Sequence, residues 1–112
     1  MTDDRTYLGH ILDCIERVEA YTHEGRAVFL SSPLIQDAVV RNFEIIGEAT
    51  KRLTPALTQM RPDIQWRRIA GFRDVLIHQY MGVNLNTVWN VVEHDLPTIK
   101  AAVTALLAAL QP

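Results

Sequence analysis

Three side chains that can act together on a phosphate group lie close together in the second half of the chain: Arg73, His78 and Tyr80. Arginine can hold a phosphate through two parallel hydrogen bonds and can offset the charge that builds up in a transition state. Histidine can exchange a proton with a ribose hydroxyl or a leaving oxygen near neutral pH. This set favours phosphodiester cleavage without a metal ion, with Arg73 and His78 as the catalytic residues.

The spacing of these residues on a helix decides how they can meet. Arg73 and Tyr80 would be about 20° from alignment, whereas Arg73 and His78 would be roughly 140° apart, so the latter two converge only if the helix end unwinds or the arginine bends back. Asp74 precedes His78 by one helical turn, where its carboxylate can fix the imidazole tautomer. A structural alternative stays open, in which His78 interacts with the helix dipole and Tyr80 packs in the core.

Apolar residues recur at intervals of three and four along nearly the whole chain, which is the pattern of amphipathic helices. We therefore predict an all-α fold, an antiparallel bundle of four or five helices in which residues 1–112 form a single domain. The expected helices run to about Tyr21, from Pro33 to Leu53, from Trp66 to about Gly82, and from Asn84 or Asn86 to Leu110, with a short turn or helix near Phe29.

Polar residues and prolines mark the expected helix boundaries. Asp3 or Asp4 can cap the first helix, and Ser32 can cap the second, because a short side-chain oxygen accepts from the unpaired amides of a first turn. The second helix should end before Pro55, where a loop is expected, since a residue that precedes proline avoids the α region. Pro97 should kink or divide the last helix, because proline has no amide hydrogen.

Composition places the chain in a broad class. Among the 112 residues, 48% are hydrophobic and 21% are charged, as in ordinary globular proteins. No apolar stretch approaches the roughly 20 residues that a membrane-spanning helix requires, so no membrane association is expected. The N-terminus is polar and lacks the features of a signal peptide, and Cys14 is the single cysteine. The expected location is the cytoplasm.

Charge limits the kind of nucleic-acid contact that is possible. The net charge is −2 and the isoelectric point is about 6.0, whereas a protein that coats nucleic acid is usually strongly basic. Any RNA contact should therefore be local or be shared between two subunits. Four arginines that cluster in the sequence could form such a contact or simply a solvated helix face; they are Arg61, Arg67, Arg68 and Arg73.

Four segments carry a family resemblance. In the first, four residues separate Arg73 from His78, one residue separates His78 from Tyr80, and the polar Asp74 directly follows the arginine. The others are residues 41–49 (Arg-Asn-Phe-Glu-Ile-Ile-Gly-Glu-Ala), residues 66–73 (Trp-Arg-Arg-Ile-Ala-Gly-Phe-Arg) and the closing helix from residue 88 to residue 97. In this order the segments cover most of the chain, and together they resemble the HepT toxins of the HEPN superfamily.

The resemblance implies a function, a partner and an assembly. HepT toxins are ribonucleases of toxin–antitoxin pairs, whose antitoxin, a minimal nucleotidyltransferase of the MntA type, attaches AMP to the motif tyrosine. Carried over to this chain, it implies a metal-independent endoribonuclease that cleaves RNA, with Arg73 and His78 as catalytic residues and Tyr80 as the site of AMPylation. No cofactor is implied. A homodimer is expected, because the one motif histidine of each chain is few for both an acid and a base, and a shared cleft would supply two.

Other residues are candidates for supporting roles. Arg41, Glu44 and Glu48 share one face of the second long helix, where they could line the cleft or dimer interface and orient Arg73, or could form an ordinary ion-pair stripe. His10 and Cys14 have the spacing of half a metal site, but no second pair of ligands accompanies them, which favours a structural role. No metal site is predicted.

An alternative function from another class also fits the sequence. Some HEPN domains keep the fold without cutting RNA, so the chain could be a non-catalytic helical binding module that partners a nucleotidyltransferase and contributes to nucleotide binding. A plain helical adaptor is a third possibility. The nuclease and the binding module differ in the expected effect of His78→Ala, which abolishes RNA cleavage only if the chain is a nuclease.

Overall fold

The computed structural model describes residues 2–78 and 84–110, apart from the side chains of Thr2, Ile77 and His78. Within these residues every regular element is a helix, which confirms the all-α prediction. The elements in chain order are α1 (Thr2–Thr22), α2 (Arg26–Ser31), α3 (Pro33–Lys51), α4 (Pro55–Thr58), α5 (Trp66–His78), α6 (Leu85–Asn90), a π-helical segment (Val91–Asp95) and α7 (Leu96–Ala109).

The long helices pack around α1 and α3. Helix α3 lies between α1 and α5 and packs extensively against both, while α7 covers another side of α1. The core between them consists of side chains that the helical periodicity predicted to face inward. Its largest fully buried members are Phe29, Leu8, Ile11, Ile15, Val18, Val39, Val88 and Val103. Burial of this apolar surface supplies the main force that holds the helices together.

Helix boundaries follow the capping residues at several places. The Ser32 hydroxyl accepts a hydrogen bond from the Ile35 amide at 3.2 Å, and Pro33 occupies the first helical position. Asn84 accepts from the amides of Asn86 and Thr87 at the start of α6. The expected loop after α3 is partly wrong, because residues 55–58 form the short helix α4. Its first turn is capped by Thr54, whose side chain accepts from the Leu57 amide.

Although α6, the π-helical segment and α7 follow one another without a gap, the helix type changes near the residue that was predicted to kink or divide the last helix, Pro97. Residues 91–95 form a π-helical turn directly before it, and the Leu96 amide donates to the Val91 carbonyl, five residues earlier. Proline lacks an amide hydrogen and its ring crowds the preceding turn, so the backbone widens there rather than continuing as a regular α-helix. The widened turn joins α6 to α7 and lets both pack on the core.

Asp4 has a different role from the predicted cap. It lies inside α1, its side chain is only 2% exposed, and its carboxylate accepts hydrogen bonds from the Thr54 amide at 3.0 Å and the Thr54 hydroxyl at 2.6 Å. Asp4 is in the first turn of α1, but its carboxylate bonds to Thr54, and the burial of a carboxylate demands such partners. The contact joins the start of α1 to the segment after α3, so these two helices run antiparallel.

Candidate active site

The site begins where α3 and α5 cross at Gly47. A side-chain Cβ at this position would lie 2.8 Å from the Cβ of Arg73 and 3.2 Å from the Ala70 carbonyl oxygen. Both distances are shorter than ordinary carbon contacts, so only glycine allows α5 to approach α3 this closely. The crossing therefore fixes Arg73 against the face of α3 that carries the charged residues.

Gly47 had no predicted role, although the sequence contains a signal for one. Glycine in the middle of a helix is less favourable than alanine by about 1 kcal/mol, so a glycine inside a long amphipathic helix indicates a close approach of another backbone. Gly9 and Gly71 show that the signal is not specific, since each is helical but has open space where a Cβ would lie.

Carboxylates surround the guanidinium of Arg73. Its Nε lies 3.7 Å from Glu48 Oε2, and its Nη1 lies 3.5 Å from Asp74 Oδ1. Glu48 also pairs with Arg52, at 3.6 Å. These distances exceed the roughly 2.7–2.9 Å of a charge-assisted hydrogen bond, and the side chains are partly exposed. The guanidinium is thus oriented by Glu48 and Asp74 without being locked to either, so its donors stay available for an incoming phosphate.

A polar groove of about 530 Å³ opens beside Arg73, between the exposed faces of α1 and α3. We call it the polar groove; its lining residues are Tyr7, His10, Arg41, Glu44, Ile45, Glu48, Ala49, Arg52 and Arg73. The structure brings the predicted residues Arg41, Glu44 and Glu48 together in this groove. Arg41 and Glu44 also form an ion pair with each other at 3.6 Å. These residues therefore line the groove and form ion pairs at the same time.

Two lining residues, Tyr7 and His10, were not predicted for the site. Their rings meet edge to face, with centroids 6.3 Å apart and planes 83° apart. Tyr7 is half-buried and His10 is exposed. Sequence spacing alone shows that they share a face of α1, but only the packing of α1 on α3 places that face beside the arginines. Cys14, one turn after His10 on α1, is buried in the core, whereas His10 is exposed.

Part of the predicted constellation falls at the edge of the described residues. Helix α5 continues through His78, whose side chain is not described, and Tyr80 lies outside the described residues, as does Gly82. The contact between Asp74 and His78 and the convergence of Arg73, His78 and Tyr80 remain predictions. The helical backbone through position 78 keeps Asp74 one turn before the histidine, as the spacing required.

The cluster of four arginines in the sequence is divided in the structure. Arg61 forms a two-point ion pair with Asp63, with distances of 2.8 and 3.0 Å. This hydrogen bonding raises the pKa of Arg61 and lowers the pKa of Asp63. Arg68 lies 3.4 Å from the Gln65 side chain, whereas Arg73 belongs to the polar groove. Three of the four arginines therefore contact different partners.

Other features of the described residues bear on metal and membrane binding. The side chains described within 2–78 and 84–110 include no cluster of three or more His, Cys, Asp and Glu that could hold a metal ion. Burial raises the pKa of the Cys14 thiol, and nearby Arg17 partly opposes this effect. No helix in the described part of the chain is both long and apolar enough to cross a membrane.

Comparisons with known proteins identify the family of the chain. The model of the family described as "Ribonuclease HepT-like" matches residues 11–106. A "putative RNase" of Caldanaerobacter subterraneus subsp. tengcongensis is 39% identical over 96% of this chain and 96% of its own length. A "probable ribonuclease HepT" of Thermococcus cleftensis is 40% identical over 86% of this chain and 88% of its own length. No solved structure matches the chain.

A longer relative also aligns with nearly the whole chain. It is the "gamma-glutamylcyclotransferase and putative RNase" of Methanocaldococcus jannaschii, 40% identical over 96% of this chain, which spans about half (49%) of that relative. The family match covers most of the residues that form the α1–α3–α5 packing and the Arg73 site. The chain therefore belongs to the HepT-like family of ribonucleases, and we assign it to the ribonuclease class.

Proposed function

We propose that this protein is a metal-independent endoribonuclease in which Arg73 binds the scissile phosphate and His78 transfers protons. The observation that carries the proposal is the position of Arg73. The α3–α5 crossing at Gly47 holds it beside a polar groove, with donors that are not tied to one carboxylate. Membership in the HepT-like ribonuclease family supports the substrate class, which is RNA.

The roles of the residues follow from the chemistry of RNA. Without a metal, the nucleophile is the ribose 2′ hydroxyl, whose oxygen attacks the adjacent phosphorus while the bond to the leaving 5′ oxygen breaks. One proton must leave the 2′ oxygen and one must reach the 5′ oxygen. We assign both transfers to His78, with Asp74 stabilising its charged form. Arg73 offsets the charge on the phosphorane oxygens, and Glu48 orients Arg73.

We also propose that the active form is a homodimer with residues from both chains at one cleft. Two proton transfers are served best by two histidines, and each chain supplies a single one in the Arg–His motif. The apolar cavity of about 680 Å³ on the other side of α5, with the exposed Val75 at its edge, supports an association surface near the site.

The proposed regulation is AMPylation of Tyr80 by an MntA-type nucleotidyltransferase antitoxin, which makes the protein the toxin of a toxin–antitoxin pair. Tyr80 follows His78 by two residues, so a modification there would add a phosphate to the motif that carries both proposed catalytic residues. A bulky, negatively charged group would repel RNA and occupy the donors of the arginine. The family match and the motif support this proposal.

The experiment is cleavage of end-labelled tRNA by purified protein in the presence of EDTA. Wild type should cut, and His78→Ala and Arg73→Ala should not. The matched control is His23→Ala, which removes an exposed histidine at the far end of α1 and should cut like wild type. Mass spectrometry of the intact protein checks that Tyr80 carries no AMP.

Two results would contradict the proposal. If His78→Ala cuts as fast as wild type, the nuclease does not depend on this histidine. If folded, unmodified wild type cuts no RNA, the non-catalytic binding module is the better description of the chain.

A further inference from the structure

The polar groove is larger than a scissile phosphate requires. Its volume of about 530 Å³ lies within the roughly 300–1,000 Å³ of small-molecule sites. It extends from Arg73 on α5 across α3 to the exposed face of α1. A substrate whose phosphate sits on Arg73 therefore has a built surface next to it, and the chemistry of that surface indicates what it holds.

Aromatic rings line the α1 side of the groove. Tyr7 and His10 meet edge to face, with planes 83° apart. In such a pair one ring presents its edge to its neighbour, so both faces of that ring stay clear of the neighbour. An unpaired base can stack on such a face, and stacking tolerates any base because every base has a π face.

Arginines line the rest of the groove, with Arg41 and Arg52 at α3 and Arg73 on α5. Their charges are balanced locally by Glu44, Glu48 and, next to Arg73, Asp74. The ion pairs that join these groups measure 3.5–3.7 Å and are partly exposed. Exposed pairs contribute only about 0–1 kcal/mol each, so a phosphate can replace a carboxylate at low cost.

We propose that the polar groove is a subsite for an unpaired RNA nucleotide next to the scissile phosphate. The base of that nucleotide stacks on the ring of Tyr7, where it lies beside the perpendicular ring of His10, and its phosphate contacts Arg41 and Arg52. The inference rests on the proposed ribonuclease function, because Arg73 is shared between the cleavage site and the groove. It explains how a chain with a net negative charge binds RNA, since the contact is confined to one groove.

The test is the affinity of the full-length protein for a short, labelled, single-stranded RNA with 2′-O-methyl groups, measured by fluorescence anisotropy. The methyl groups block the nucleophile, so binding is measured without cleavage. Tyr7→Leu should weaken binding by about 5- to 150-fold, the range expected for the loss of one stacked base. Tyr7→Phe keeps the ring and should bind within about threefold of wild type.

Two controls separate stacking from a change in fold. Tyr21→Leu removes an exposed tyrosine on the same helix that does not line the groove, and it should leave the affinity unchanged. His10→Ala should weaken RNA binding, because His10 lines the groove. It should not lower the unfolding midpoint, because His10 is exposed. If Tyr7→Leu is too unstable to study, the comparison of His10→Ala with His23→Ala decides the same question.

A salt titration tests the phosphate contacts. Arg52→Gln and Arg41→Gln should each reduce the slope of log affinity against log salt by about 0.7, the value for one phosphate contact with a single strand. Arg26→Gln is the control, because Arg26 pairs with Asn86 outside the groove. An unchanged slope in both groove variants would overturn the phosphate assignment.

The outcomes distinguish this inference from the proposed function. If Tyr7→Leu and His10→Ala both bind RNA like wild type while wild type still cuts tRNA, the subsite is wrong and the nuclease stands. If wild type does not bind the methylated RNA at all, the subsite is overturned whatever the cleavage assay gives. Binding that depends on Tyr7 in a protein that does not cut RNA would support the subsite and reject the nuclease.

Discussion

Replacing Gly47 by alanine tests the close crossing of α3 and α5 directly. The new Cβ would lie 2.8 Å from the Arg73 Cβ, and ordinary contacts begin near 3.4 Å, so the two helices must separate locally by about 0.6 Å. Neither neighbouring atom can swing away, because one is a Cβ and the other, the Ala70 carbonyl oxygen, belongs to the backbone of α5.

Two opposing effects set the magnitude of the change. Overpacking a tight contact costs about 1–3 kcal/mol. Alanine is better than glycine in a helix by about 1 kcal/mol, which offsets part of that cost. The expected net result is a loss of up to about 2 kcal/mol in the free energy of unfolding. Because Arg73 is displaced with α5, the rate of RNA cleavage should fall as well.

Urea unfolding followed by circular dichroism measures the change, and two glycines in the same fold serve as controls. Gly9 in α1 and Gly71 in α5 have nothing within 4 Å of a built Cβ. Gly9→Ala and Gly71→Ala should therefore stabilise the protein by about 0.5–1 kcal/mol. If Gly47→Ala stabilises the protein as much as these two variants do, α3 and α5 do not approach each other closely at Gly47.

Three further predictions follow from other contacts. Asp4→Ala should lower the free energy of unfolding by about 1.5–3 kcal/mol, because it leaves the Thr54 amide and hydroxyl without their buried charged partner; urea unfolding measures this, and a change below about 0.5 kcal/mol would contradict it. Burial raises the pKa of the Cys14 thiol above its ordinary value of 9.0. The folded state therefore holds this proton more tightly than the unfolded state, so the thiol's contribution to stability is present below pH 9.0 and is lost as the pH rises above it. The free energy of unfolding of wild type should fall in that alkaline range, and that of Cys14→Ala should fall less. An equal dependence on pH in the two proteins would contradict this prediction. Arg73→Lys keeps the charge but loses the planar fork, so tRNA cleavage should fall at least about tenfold while the free energy of unfolding changes by less than about 1 kcal/mol; full activity in this variant would show that two-point phosphate binding is not required.

Local patterns in the sequence were sufficient for much of the fold. The spacing of apolar residues predicted the long helices, because a helix repeats every 3.6 residues whatever surrounds it. Ser32-Pro33 and Asn84 predicted helix starts for the same local reason. Pro97 predicted a break, since its missing amide acts on the turn just before it.

Local patterns failed where a residue's partner is distant in the sequence. Asp3 or Asp4 was predicted to cap α1, yet the Asp4 carboxylate accepts from Thr54, which lies fifty residues later. Capping preferences describe only the nearest amides, and they cannot show that another helix supplies better donors.

The short helix α4 was predicted as a loop, although its proline-led first turn has the usual capping residue, Thr54.

The sequence by itself determined the helices, the family and the order of the candidate catalytic residues, because each of these depends on spacing along one chain. Only the tertiary structure decided which faces meet. It placed Glu48 beside Arg73 through the crossing at Gly47, and it brought Tyr7 and His10 of α1 to the same groove. Such contacts depend on how closely, and at which residues, two helices pack, and those properties emerge from the fit of all the buried side chains together.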